Sequence, residues 1–459
     1  MKASKVLITM GVAAVALTAS GLASATNGYM THGTGTKNKG VAGAGIAQPQ
    51  DAIDVVNNPA VAALLDDSMQ LGFSLFNPNR DYRTSESLAN GQGGAFTIGP
   101  NDISSDSNYF IIPHFARSWR IDDESAWAVA FYGRGGMNTD WSGGTATFDP
   151  DGPVGPAPVM TFPGTYGGGD AGVDLNQAFL DLTWARKLND RVAYGITGIV
   201  AFQAFEAKGV GAFAGYTETF AASGGTVFPQ NLSDNGHDLS YGFGARVGLH
   251  AALTDTLAFG ISYQSKIYMS EFDDYADLFA NQGDFDIPAD FKVGFTWSPN
   301  DTLALSFDIE HVWFSDVDSV GNPIANLFSC PTVNPMATSL SNCLGGDNGA
   351  GFGWDDMTVY KIGAQWKTSE EWTWRAGYST GDQPIPTSEM TFNILAPAVM
   401  EDTITVGFTR TLSSGNELNL AFMYAPKQSL SGPNTFDPTQ TIEFEMDQYE
   451  LEMSYSWKF

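Results

Sequence analysis

Basic side chains are scarce in this chain: 22 lysines and arginines stand against 51 aspartates and glutamates, for a formal net charge of −29. A nucleic-acid partner needs a basic footprint, so that class is excluded. Long apolar runs are scarce too. The run from Val6 to about Leu17 is too short to cross a bilayer as a helix, and no later stretch approaches the roughly 20 apolar residues required. Preceded by Lys2 and Lys5 and followed by Ala23-Ser24-Ala25, it reads as a secretory signal peptide over 1–25, with the mature chain starting at Thr26. Cysteine is limited to Cys330 and Cys343, in a segment rich in Pro, Asn and Gly. In an exported chain this pair predicts a disulfide that closes a surface loop. With no histidine nearby, the two thiols do not complete a tetrahedral zinc site, and neither a metal nor another cofactor is expected. The acidic surplus collects in pairs such as Asp273-Asp274 and Asp355-Asp356. These read as loop residues that solubilise the protein or bridge divalent cations to a charged lipid surface.

What is abundant is alternation. At the C-terminus Tyr449, Leu451, Met453, Tyr455, Trp457 and Phe459 alternate with Glu450, Glu452, Ser454, Ser456 and Lys458. Successive strand side chains point to opposite faces, so one face is apolar and the other polar. Similar segments recur along the chain, from 68–77, 106–119, 125–138 and 173–187 to 416–427 and 443–459, and fourteen are counted. Leu303, Leu305, Phe307 and Ile309, for example, alternate with Ala304, Ser306, Asp308 and Glu310. Pro113 interrupts the second segment. Connections alternate between short ones, such as 253–254 and 299–300, and long ones, such as 78–105, 139–172 and 428–442. Short periplasmic turns opposite long extracellular loops mark an outer-membrane barrel, and an even strand number leaves both termini in the periplasm. Trp119, Trp127, Trp184, Trp297, Trp366, Trp372, Trp374 and Trp457 lie beside short turns or the C-terminus, as an interfacial aromatic girdle requires. The expected fold is all-β: a 14-stranded antiparallel transmembrane β-barrel over 66–459, undivided by any linker and monomeric in outer-membrane lipid. The last strand is expected to close it by pairing near Leu71 and Phe73.

Residues 26–65 precede the first strand and do not alternate. They carry Gly33, Gly35, Gly40, Gly43 and Gly45, then Asp51-Ala52-Ile53-Asp54 and Asn57-Asn58-Pro59-Ala60. A barrel of this size leaves a lumen wide enough to leak, so this segment is expected to fill it as a plug. Two nucleotide-loop look-alikes, at 40–45 and 33–39, lack both a preceding strand and the required spacing.

The chain resembles the FadL-type family of outer-membrane transporters for long-chain fatty acids and other hydrophobic compounds. The likeness rests on the glycine-rich N-terminus leading to Asn57-Asn58-Pro59-Ala60 and on Gly133-Arg134-Gly135-Gly136-Met137-Asn138. It continues through Phe205-Glu206-Ala207-Lys208-Gly209, Ile287-Pro288-Ala289, and the run from Gly377-Tyr378 to Asn393-Ile394-Leu395-Ala396-Pro397. The resemblance implies a barrel closed by an N-terminal hatch, capture of an apolar substrate between extracellular loops, and transfer to a pocket under the hatch. Exit is then sideways, through a gap beside a kinked third strand, without an energy source. It also implies that barrel-assembly machinery recognises Phe459 during biogenesis.

On this reading Gly133, Gly135 and Gly136 are expected to form the kink, since glycine in a strand marks a bulge or bend. Phe213, Tyr216 and Phe220 of one long loop, with Tyr275, Leu278 and Phe279 of the next, are expected to form an apolar capture patch or to pack the loops together. By alternation Arg246, Lys266, Lys292, Lys361 and Arg375 face the lumen, as do Asp181, Asp308, Glu310 and Glu450. They are expected to form a salt-bridge network, with one cation available to a substrate carboxylate. An enzyme is not expected. The histidines at 32, 114, 237, 250 and 311 do not suggest a lipase triad, and His311 beside Ser315 and Asp316 is only a run of neighbours. A general porin is the remaining alternative.

Overall fold

The computed structural model describes residues 26–150 and 157–459, so the expected signal peptide lies outside the described residues. Fourteen strands form the barrel wall. They are β1 Ser68–Thr84, β2 Phe110–Arg120, β3 Ser125–Trp141, β4 Ala171–Asn189, β5 Val192–Lys208, β6 Asp238–Ala252 and β7 Leu257–Gln264. The circuit continues with β8 Asp290–Asn300, β9 Leu303–Val312, β10 Met357–Lys367, β11 Trp372–Gly381, β12 Asp402–Thr411, β13 Glu417–Asn434 and β14 Asp437–Lys458. Each pairs antiparallel with the next, and β14 returns to β1 in the expected register, Leu71 opposite Tyr455 and Phe73 opposite Met453.

The pattern of exposure is the reverse of a water-soluble sheet. Leu71 and Phe73 are 53% and 48% exposed, whereas Gln70 and Ser74, on the opposite face, are buried. Apolar surface left open at about 25 cal/mol per Å² is unfavourable in water and favoured against lipid tails. The ladder places Trp119 beside Trp127 and Trp127 beside Trp184, and sets Trp366 beside Trp374 further round. These rings form the girdle at the short-turn end. Trp141 and Trp354, by contrast, are wholly buried.

Three expected boundaries change. β1 runs on to Thr84 because Pro78 to Thr84 keep pairing with β14. The expected long loop at 428–442 is mostly strand: β13 and β14 continue as a hairpin arm whose pairing ends at Asn434 opposite Asp437. β7 stops at Gln264, and pairing with β6 resumes only at Tyr268–Met269. The disulfide joins Cys330 to Cys343 in the long connection after β9, as expected.

The segment 26–65 is largely buried and is tied by hydrogen bonds to many of the strands. Ile46 N donates to Asp308 on β9 at 2.8 Å, Ala42 N to Thr405 on β12 at 2.8 Å, and Lys361 on β10 to the His32 carbonyl at 2.7 Å. Asn58 caps the short helical turn Pro59–Leu64 by accepting from Ala60 N, and its amide donates to Leu249 O on β6 at 3.1 Å. Pro59 suits the first helical position because its missing N–H has no partner to lose there. Glycines on the inner wall permit the close approach: a Cβ on Gly377 would sit 2.2 Å from Val41 C, and one on Gly195 2.5 Å from Pro59 C.

Candidate functional site

The wall has an irregular seam between β2 and β3. Their ladder runs from Arg120 opposite Ala126 up to His114 opposite Tyr132 and then stops, although both strands continue. β2 goes on pairing with β1 as far as Phe110, and β3 with β4 as far as Trp141. On β3 the register slips between Gly133 and Gly135, a bulge at Arg134. Bulges bend a strand and end pairing. A Cβ on Gly135 would meet Gln177 Oε1 at 2.0 Å, so a larger residue there has to push the Gln177 side chain aside.

A strand edge left bare in a membrane is too costly to exist, so the free groups of β3 must bond elsewhere. Thr31 N donates to Arg134 O at 2.9 Å and Gly136 N donates to Tyr29 O at 3.0 Å, with Met30 bridging Gly135. Higher up, Arg80 donates to the Asn138 carbonyl, and Asp106 N to Asp140 O at 2.9 Å. The N-terminal segment therefore stands in for β2 along the lower part of the seam. Ile112 fills the space beside Gly133, 2.8 Å from where a Cβ would stand.

Behind the seam is a small cavity of about 30 Å³, lined by Tyr29, Phe76, Pro78, Arg80, Gly136, Met137, Trp354, Ala396, Pro397 and Met446 among others. Its lining is mostly apolar. The stretch Asn393 to Pro397 enters from the connection after β11: Trp354 Nε1 donates to Asn393 Oδ1 at 2.6 Å, and Trp141 Nε1 to Ile394 O at 2.9 Å. Tyr29 packs against Phe285, Phe314 and Trp354 with ring centroids 5.3 to 6.2 Å apart.

The six aromatic and aliphatic loop residues do not form one open patch. Phe213 and Tyr216 join Phe436, with Phe213 also against Phe392, while Tyr275 and Phe279 pack on Phe205. Phe220 sits apart, against Phe228. Phe213, Tyr275 and Phe279 are buried, and Leu278 is partly buried. They cap the barrel mouth rather than face water, because ring-on-ring packing between loops removes more apolar surface than an open groove would. The Phe279 cluster reaches the cavity through Phe285 and Tyr29.

Four of the five expected cations are in the lumen. Lys292 and Lys361 meet Glu310 at 3.1 and 2.6 Å, Arg246 meets Asp181 at 2.6 Å, and Arg375 donates to Thr409 at 2.7 Å and to Gln50 of the N-terminal segment at 3.1 Å. Glu450 holds Lys39 and Asp308 accepts from Ile46 N. Lys266 is the exception. It follows the end of β7, is part-exposed, and pairs with Asp286 at 3.0 Å on the extracellular side. Arg134 is absent from the expected cations although it shares the inward phase of Tyr132, and it pairs with Asp290 at 2.8 Å. Alternation misses Arg80, which lies beyond the expected end of β1. Ser315 hydrogen-bonds Asp356 and His311 bonds Thr358, so the run around 311–316 holds no serine–histidine bond. No group of described residues has the make-up of a metal site.

The fold and its inverted surface define a transmembrane β-barrel with an irregular wall seam. The model of the outer membrane protein transport protein family (OMPP1/FadL/TodX) matches residues 16–152 and 157–455, and the chain belongs to that family. Membership makes it an outer-membrane transporter of hydrophobic compounds. Among solved structures it is similar to a Pseudomonas aeruginosa FadL homologue at 17% identity and TM-score 0.64, covering 94% of this chain and 100% of that one. It is similar to the Ralstonia pickettii toluene transporter TbuX at 17% identity and TM-score 0.60, covering 93% and 99%. The P. putida toluene transporter TodX follows at 15% identity, TM-score 0.58 and the same coverage. No curated protein matches the sequence.

Proposed function

We propose that the protein carries small lipophiles passively from its extracellular mouth to the cavity behind the β2–β3 seam and releases them sideways into the membrane. The observation that supports this most is the seam itself, an interrupted ladder whose edge is held by residues 29–31 and backed by an apolar cavity. A transfer into lipid gains about 0.8 kcal/mol for each buried CH₂, which is enough to drive passage with no other energy source. Residues 26–65 act as the plug on this reading, with Asn57-Asn58-Pro59-Ala60 anchoring it, and they keep ions from following.

The cavity is small in this conformation. About 30 Å³ is far short of the roughly 150 Å³ that a benzene-sized guest occupies in a protein interior. Tyr29 or the 396–398 stretch must therefore shift for loading, which couples the plug to the exit. Toluene-sized aromatics and acyl chains both suit this design, and two of the similar structures are named as toluene transporters.

Uptake of radiolabelled toluene and dodecanoate by cells with and without the gene tests the reading. Uptake raised by the protein supports it. Equal uptake in both strains, together with large steady ion conductance from the intact protein in planar bilayers, would replace it with a porin.

A further inference from the structure

Arg80 stands out among the buried cations of the barrel. Lys37, Lys39, Arg134, Arg246, Lys292 and Lys361 each meet a carboxylate. Arg375 is held between wall and N-terminal segment beside Asp51. Arg80, 5% exposed, has no carboxylate partner among the described residues. Its two terminal nitrogens donate to the carbonyls of Asn138 and Ser107, its Nε has no partner, and its guanidinium lies 5.8 Å from the Phe110 ring. Among the described residues it is the one charged residue in the lining of the cavity.

A fixed positive charge in an apolar chamber is unfavourable unless something anionic joins it. An arginine fork offers Nε and a terminal nitrogen as a parallel pair that fits a carboxylate. We infer that Arg80 is the head-group site for an anionic amphiphile, a fatty-acid-like carboxylate whose tail lies against Phe76, Met137, Trp354 and Met446. This rests on the transporter reading and sharpens it, since a neutral hydrocarbon has no use for the charge. The site also touches the exit. Arg80 bonds Ser107, just before β2, and Asn138, on β3, so it clasps the two sides of the seam. A carboxylate taking Nε and the nitrogen now on Ser107 would release one side of that clasp, so binding of the head group loosens the wall the substrate leaves through.

The test is equilibrium binding of radiolabelled dodecanoate and dodecan-1-ol to the mature protein in nanodiscs, native against R80Q and R80K, with heat-modifiable gel mobility as the check of folding. R80Q is expected to weaken dodecanoate at least about tenfold while dodecanol changes by less than roughly twofold. R80K, which keeps the charge and loses the fork, is expected to fall between, and it carries the test if R80Q does not fold. Dodecanoate binding left intact by both variants would overturn the assignment, as would an equal loss of both ligands. Native protein that binds dodecanol but not dodecanoate would overturn the Arg80 site and leave the transporter reading standing. Native protein that binds neither would overturn both.

Discussion

At the residue scale, Glu310 is the hub of the lumen charge. Lys292, Lys361 and Arg134 all converge on it, at 3.1, 2.6 and 3.5 Å, and Asn27 of the N-terminal segment lies 3.5 Å from the same carboxylate. Removing one partner of a buried ion pair leaves uncompensated charge, at about 3–5 kcal/mol. E310Q is therefore expected to lower stability by about that amount, read as earlier loss of the heat-modifiable folded band on gels. Replacing exposed Glu370, paired only with its neighbour Lys367, is expected to change it by less than about 1 kcal/mol. The phase of alternation was enough to place Arg246, Lys292, Lys361 and Arg375, because a regular strand sends every second side chain inward. It fails for Lys266, because β7 ends at Gln264, two residues before it, and it misses Arg80 as long as β1 is ended at Asn77.

At the element scale, β3 carries the unusual backbone. Valine at Gly135 meets Gln177 and Tyr29, so G135V is expected to displace the N-terminal segment from the seam. Uptake should fall at least about tenfold while barrel assembly, followed by the mobility shift, is retained. Normal uptake would mean that the substrate does not leave there. A second element, the connection from β7 to β8, should respond to pH. Half-buried Asp284 is pushed up to about 7, by burial and then by Asp286 beside it. A carboxyl raised in the folded state favours folding once protonated, so this loop is expected to tighten as pH falls through about 7 towards the ordinary carboxylate range near 4, and to loosen above it. Hydrogen exchange at Phe272 and Gln282, corrected for intrinsic rates, checks this, and D284N should abolish the pH dependence. Glycines in a strand signalled the bend at β3 from the sequence. Which part of the chain would fill the gap was not legible there, because the pairing of Met30 with Gly135 links residues over a hundred positions apart.

On the scale of the whole molecule, the alternation of long and short connections and the sorting of tryptophans were legible, since both follow from a membrane with two different sides. The hairpin arm of β13 and β14 was not, because strand and loop read alike in a polar extracellular segment. Deletion of 26–65 is expected to turn the barrel from closed to conducting, by at least about tenfold in planar-bilayer current. Unchanged current would show that the segment does not block the lumen.

Residues 29–31 have a further consequence. They occupy the hydrogen-bonding edge of β3 that β2 would otherwise take. Without them, the cheapest remedy for that edge is for the two strands to zip together. The truncation that opens an aqueous path through the middle should thus seal the greasy one at the side. The N-terminal segment would be a wedge as much as a stopper, and water and lipophile would be governed by one piece of chain in opposite senses.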